Sequence, residues 1–294
     1  MTIDTTYEPY SQDPGYISAN KALMDTIDLD GVSRVADLAC GTGLLSQQLL
    51  TREPNLAICG IDLDAAQIEI AGRHFAEKNV PVLDLEGWRA AGAAGKPAVH
   101  LRVQSVMELP FEDGEIDLTV QGNSIHLMPD KPQFLAEVAR VMRPGARMLF
   151  NSVFYVGTFP EGSEAVFSEW VKEAVLVLME MNVERAEKGL PPIPRQRGKG
   201  TKAFSKGWLS AEGWSEMFDE AGFDTENVNH RNVPISREGL GLVGRYGGLA
   251  EVLMSGYPVE VASECLDLAA GRAFDRLGIE EVPRNWLELT ARRR

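Results

Sequence analysis

Short apolar runs alternate with stretches of helical spacing along the first half of the chain. Residues 34–39, 57–61, 99–103, 116–120 and 146–154 have the continuous apolar character of buried strands. Between them lie helical patterns over 44–50, from the capping position Asp64 to about 77, and over 132–142, which Arg143-Pro144-Gly145 stops. The second half breaks this rhythm. Residues 163–188 carry Phe167, Trp170, Val171, Ala174, Val177, Leu178 and Met181 at three-to-four spacing, which predicts one long helix. A Pro/Gly/Lys/Arg loop covers 189–206, a helix and a strand follow at 211–221 and 226–233, and 237–278 reads as helical with glycine breaks. A short strand closes the pattern at 285–291. Strands separated by helices at this spacing predict an α/β fold, a doubly wound seven-stranded sheet of parallel βαβ units with helical lid insertions. The expectation is a single domain over 1–294. Its core spans 30–155, helical additions cover 156–210 and 237–282, and 1–25 forms an N-terminal lid.

Composition narrows the classes. With 294 residues, 44% hydrophobic and 24% charged, the chain can bury a core and is not expected to be disordered. The 29 basic residues against 43 acidic leave a net charge of −14, which tells against nucleic acid or anionic membrane as the main partner. Cys40, Cys59 and Cys265 are too scattered for a disulfide framework or a zinc site, so a reducing, cytoplasmic setting is expected. The polar start shows no secretory leader, and the apolar run 174–179 is far short of a bilayer span.

The chemistry concentrates where the first strand meets its helix. Gly41 and Gly43 allow a tight turn and close backbone approach to a ligand. Asp62 ends the next strand, 19 residues after Gly43, the spacing at which a carboxylate takes the two hydroxyls of an adenosine ribose. A dinucleotide fold wants a third glycine where this chain has Ser46. Asp37 precedes the turn, and its charge would repel a pyrophosphate but favour an ammonium or sulfonium. The sign favours S-adenosylmethionine.

Val35-Ala-Asp-Leu-Ala-Cys-Gly-Thr-Gly43 resembles the first motif of class I S-adenosylmethionine-dependent methyltransferases, and Gly60-Ile-Asp-Leu-Asp64 resembles their second. The segments 108–117, 123–126 and 137–145 are similar to the family's fourth-strand region and the turn before its fifth. The resemblance implies a Rossmann-like fold in which Asp37, Ala39, Gly41 and Gly43 surround the methionine part of the cofactor. It places Asp62 on the ribose and Leu63 and Val106 beside the adenine, with Cys40 and Gln121 completing the set. Ser105 stands where many relatives have an aspartate for the adenine amine. Tyr7, Tyr10, Tyr16 and Asn20 are candidates for a lid, with Tyr16 expected at the cofactor.

Methyl transfer requires alignment and exclusion of water, and a base only if the acceptor must lose a proton. No metal is expected. His126, just after the fourth strand, is the candidate base, and Glu169 in the long helix is a second. His74, His100 and His230 are read as structural. Phe154, Trp170 and Tyr246 are expected to line the acceptor pocket, which their character suits to a lipophilic small molecule. Arg195 and Arg197, in a loop with Lys199, Lys202 and Lys206, form a candidate clamp for an anionic group, and an isoprenoid diphosphate methylated at carbon would carry both features. The alternatives are a cofactor-binding protein without transfer activity and an NAD(P)-dependent oxidoreductase. A homo-oligomer is compatible with the sequence.

Overall fold

The structure, a computed structural model, describes residues 3–196 and 207–294. In chain order its elements are α1 (Glu8–Ser11), α2 (Pro14–Met24), β1 (Arg34–Leu38), α3 (Leu44–Arg52), β2 (Ala57–Asp62), α4 (Ala65–Glu77), α5 (Leu85–Ala93), β3 (Ala98–Val103) and β4 (Ile116–Gly122). A 3-10 turn (Ile125–Leu127) leads to α6 (Lys131–Val141), β5 (Met142–Ser152) and α7 (Glu164–Glu187). Then come α8 (Ala211–Glu220), β6 (Phe223–Asn232), β7 (Ile235–Ser236), α9 (Arg237–Arg245), α10 (Gly247–Leu253), α11 (Val259–Leu277), β8 (Glu281–Val282) and β9 (Asn285–Arg293). The chain divides into two compact units.

The first unit comprises Ile17–Thr158, Gly207–Arg231 and Trp286–Arg294. It holds a seven-stranded sheet in the order β3-β2-β1-β4-β5-β9-β6. The first five strands are parallel, with Asp37 level with Gly60 on one side and Val120 on the other. Central parallel strands are covered on both faces, so they read as unbroken apolar runs. One face packs Leu38, Trp88, Phe150, Trp214, Phe218 and Leu287. The other packs Val35, Val120 and Leu149 against Leu23, Leu45 and Leu49. Asp64 caps α4 as expected, its carboxylate accepting the Ala66 amide at 2.8 Å.

Two features depart from the sequence pattern. β9 runs antiparallel to β5, pairing Met148 with Ala291 and Phe150 with Leu289, where parallel units were expected throughout. An antiparallel neighbour needs no crossover helix, so helix–strand alternation cannot announce it. Helix α5 was not expected, because Gly87 and Gly92 dilute its helical character. It forms because Trp88 is wholly buried and Asp84 caps it through the Gly87 amide at 2.7 Å.

The second unit comprises the described parts of Met1–Tyr16, Phe159–Lys206 and Asn232–Asn285. The long helix expected over 163–188 is α7, and the glycine-broken stretch resolves into α9, α10 and α11. Trp170, Ala174 and Leu178 of α7 pack with Leu266, Ala269, Ala270 and Ala273 of α11. Gly244 lets α9 approach closely: a Cβ there would lie 2.9 Å from the Leu266 Cβ and 3.0 Å from both its carbonyl carbon and Trp170. Neither backbone nor buried indole can yield cheaply. Gly244→Ala is therefore expected to destabilise by about 1–3 kcal/mol, read as a lowered urea midpoint; an unchanged midpoint would refute the tight packing. Among the described residues no helix is long and apolar enough to cross a membrane.

Candidate functional site

The carboxyl ends of β1, β2 and β4 converge on the turn at 39–43, the edge where open α/β sheets bind ligands. Three residues of that turn adopt left-handed backbone: Ala39 (φ 51°), Gly41 (φ 53°) and Gly43 (φ 82°). Glycine serves two of these at no steric cost, whereas Ala39 carries strain, as functional turns often do. A Cβ on Gly43 would lie 3.1 Å from the Phe75 ring, while one on Gly41 would meet open space. The turn is pinned by the Cys40 amide on the Ile61 carbonyl (3.0 Å) and the Gly43 amide on the Cys40 carbonyl (2.9 Å).

Asp37 lies beneath this turn, 1% exposed. Its Oδ2 accepts the Ser46 hydroxyl at 2.6 Å and the Ser46 amide at 3.2 Å. The residue that breaks the dinucleotide pattern thus anchors the acid. Asp37 Oδ1 is buried and meets no donor among the described residues. Burial pushes the Asp37 carboxyl up from 3.8 to about 7, the Ser46 bonds oppose this, and the nearby Asp62 charge adds to it. Among the described residues no positively charged group offsets it.

Asp62 ends β2 and faces the same turn. Its Oδ2 accepts the Gly41 amide at 2.8 Å and its Oδ1 the Asp64 amide at 2.9 Å. Burial raises its pKa, against the pull of these two hydrogen bonds. Leu63 beside it is 72% exposed. The Gln104 amide bonds the Asp62 carbonyl at 2.9 Å, which brings the segment after β3 to this edge. There Ser105 takes the Met107 amide at 3.2 Å, and Val106 is buried. Gln121 on β4 is wholly buried, with neither its amide oxygen nor its nitrogen bonded among the described residues.

His126 sits in the 3-10 turn just beyond β4 and is buried. Its ring lies 4.0 Å from that of Phe154, which meets Trp208 edge-on at 5.7 Å. The structure brings His126 together with Ser152, an association the sequence reading missed; two polar residues, Asn151 and Ser152, ending an apolar strand were its only signal. Of the remaining histidines, Nδ1 of His74, His100 and His230 lies within 3.1 Å of the Thr42 carbonyl, 2.9 Å of the Leu83 carbonyl and 2.9 Å of the Tyr155 hydroxyl respectively.

In the helical unit, Tyr7, Tyr10 and Tyr16 cluster with ring centroids 4.7–5.8 Å apart, and Tyr246 meets Tyr7 edge-on at 5.1 Å. Trp170, expected to contact an acceptor, is 2% exposed and gives its indole N–H to the Leu266 carbonyl at 2.7 Å, a placement that serves packing. Glu169, the second base candidate, pairs with Lys172 at 3.1 Å and Arg276 at 3.0 Å. Arg195 is exposed and lies 5.3 Å over the Tyr257 ring, whereas Arg197 and the lysines at 199, 202 and 206 fall outside the described residues.

Comparison with known proteins bears on this edge of the sheet. Residues 36–150 match the family model described as "Methyltransferase domain". The chain is 32% identical over 133 residues to a demethylmenaquinone methyltransferase of Lactiplantibacillus plantarum, covering 44% of this chain and 48% of the relative. It is 29% identical over 176 residues to the 27-O-demethylrifamycin SV methyltransferase of Amycolatopsis mediterranei, covering 58% of each. The matched segments thus span about half the length of these curated relatives. Among solved structures, the YcgJ protein of Bacillus subtilis superposes with a TM-score of 0.55 at 16% identity, covering 94% of this chain and 99% of that one, a likeness of fold.

Proposed function

We propose that this chain, whose residues 36–150 match a methyltransferase-domain model, is a class I S-adenosylmethionine-dependent methyltransferase that methylates a lipophilic small molecule at oxygen or carbon. The observation that carries the reading is Asp37: a buried acid under a glycine turn, with one oxygen anchored by Ser46 and the other lacking a donor among the described residues. A cationic ligand is what such a group stabilises in place of water. The donor set fits S-adenosylmethionine, whose amino group and sulfonium are positive and whose ribose offers two hydroxyls.

When bound, that cofactor supplies an electrophilic methyl group on sulfur. Asp37 would hold its amino-acid end, with the backbone of Ala39, Cys40, Gly41 and Gly43 around it. Asp62, already fixed by the Gly41 and Asp64 amides, would take the ribose hydroxyls. Leu63 and Val106 would enclose the adenine, Ser105 would approach its edge, and Gln121 would offer an amide from β4. His126, backed by Phe154, would meet the reacting group of the acceptor. Transfer is an in-line displacement, so the chain's task is to align the two centres and keep water out.

Two relatives are named for demethylmenaquinone and 27-O-demethylrifamycin SV, and we extend a small-molecule acceptor of that kind to this chain. Calorimetry with S-adenosylhomocysteine tests the cofactor: micromolar or tighter binding is expected, and binding of NAD(P) instead would overturn it. Incubation with methyl-labelled S-adenosylmethionine and a panel of naphthoquinols, polyketide phenols and isoprenoid diphosphates tests the acceptor. Label is expected in an organic-soluble product; its absence from every member, with cofactor bound, would favour a non-methylating role.

A further inference from the structure

We propose that Ser152 fixes the tautomer of His126, so that the imidazole acts as a hydrogen-bond donor through Nε2–H and is not a base toward the acceptor. The inference rests on the reading that His126 meets the acceptor. Ser152 is wholly buried at the end of β5. Its Oγ accepts the Phe154 amide at 3.0 Å and lies 3.3 Å from His126 Nδ1. A hydroxyl so buried must place its own proton on an acceptor inside the protein. Among the described residues that acceptor is Nδ1, because the Phe154 amide is a donor. Nδ1 therefore contributes its lone pair, and the neutral ring carries its single proton on Nε2.

The surroundings hold this arrangement. Asn123 adopts a left-handed φ of 43° at the head of the segment that carries His126. Its amide bonds the Asn151 carbonyl at 3.0 Å and the Asn151 side-chain oxygen at 2.9 Å, while its own Oδ1 accepts the Val153 amide at 3.0 Å. The Asn151 amide nitrogen donates to Asn20 at 2.8 Å. Both strand ends are thereby locked together, and the Phe154 ring covers one face of the imidazole. Ser152 is a positioning residue for that ring.

The consequence is chemical. A ring with Nε2–H cannot take a proton at Nε2, but it can donate to an oxygen that bears negative charge. The arrangement suits an acceptor that arrives ionised, as a phenolate or an enolate, its proton already lost to solvent. The acceptor's electron pair forms the new bond to the methyl carbon, the carbon–sulfur bond breaks, and its pair remains on sulfur. The negative charge of the acceptor and the positive charge of the sulfonium disappear together.

The test is long-range proton–nitrogen correlation NMR on protein labelled with ¹⁵N-histidine, at about pH 9, where an ordinary imidazole is neutral. The chain has four histidines, and the signal missing from His126→Gln identifies His126. The expected result is an Nε2–H tautomer whose Nδ1 resonance moves downfield in Ser152→Ala and stays in place in Ser152→Thr, with the other three histidines unmoved. An Nδ1–H tautomer in the unmodified protein would overturn the proposal without any variant. So would an unchanged Nδ1 resonance in folded Ser152→Ala. Calorimetry on the same samples separates the two readings: undiminished S-adenosylhomocysteine binding in Ser152→Ala leaves the cofactor site standing whatever the tautomer proves to be.

Discussion

Asp37→Asn is expected to weaken S-adenosylhomocysteine binding by about 100-fold, the effect of removing one buried charge-assisted contact, and at the same time to stabilise the cofactor-free protein. The two outcomes share one cause. An acid whose pKa rises from 3.8 in the open chain to about 7 in the fold costs the folded state on the order of 4 kcal/mol once it is ionised. Because the folded value is the higher one, stability is greatest when the group is protonated in both states and falls as pH rises from about 4 to 7. Urea unfolding of the cofactor-free protein should show that decline between pH 5 and pH 8, and Asp37→Asn should lack it. At pH 8 the variant should be more stable by about 2 kcal/mol; the remainder is offset because its amide places an N–H₂ where Oδ1 lacked a donor. Binding follows the opposite sense. Only the ionised acid attracts a cation, so affinity for the cofactor should rise with pH up to about 7. A variant that binds S-adenosylhomocysteine normally, or a parent protein with flat stability over that range, would show that Asp37 is not held as described.

Asp62→Asn should weaken binding by a similar factor, roughly 100-fold, but with a different ligand signature. Both Asp62 oxygens accept backbone amides, from Gly41 and Asp64, so an amide in its place turns an N–H₂ toward one of two donors. The glycine turn would lose its anchor and the proposed ribose site its acceptor. Methylthioadenosine, which keeps the ribose but lacks the amino-acid group, separates the two acids. Asp62→Asn should weaken it as much as S-adenosylhomocysteine, whereas Asp37→Asn should leave it within about threefold of the parent protein. Equal losses for both ligands in both variants would mean that the substitutions act through general distortion of the turn.

The residues that proved legible are those whose partners lie within one strand–turn–helix unit. Asp37, Gly41, Gly43 and Asp62 fall at spacings that a parallel βαβ connection imposes, so their convergence follows from chain geometry. Asp64 as a cap is legible for the same reason: its partner, Ala66, is two residues away. Trp170 shows the limit. A helix with apolar residues on several faces does not reveal which face meets a ligand and which meets α11, and packing against Leu266 decided it. Glu169 likewise reads as a free carboxylate until the fold brings Arg276 beside it.

By itself the sequence determined the parallel strands of the sheet, the glycine turn and the two carboxylates beside it, because periodicity, glycine placement and a carboxylate's charge are local properties. Only tertiary structure decided that Asp37 is driven toward neutrality, since that depends on how completely distant segments exclude water. It alone set Ser152 against His126, 26 residues apart, and Asn20 against Asn151, 131 apart. A hydrogen bond acts over a few ångströms of space, and separation along the chain carries no record of it.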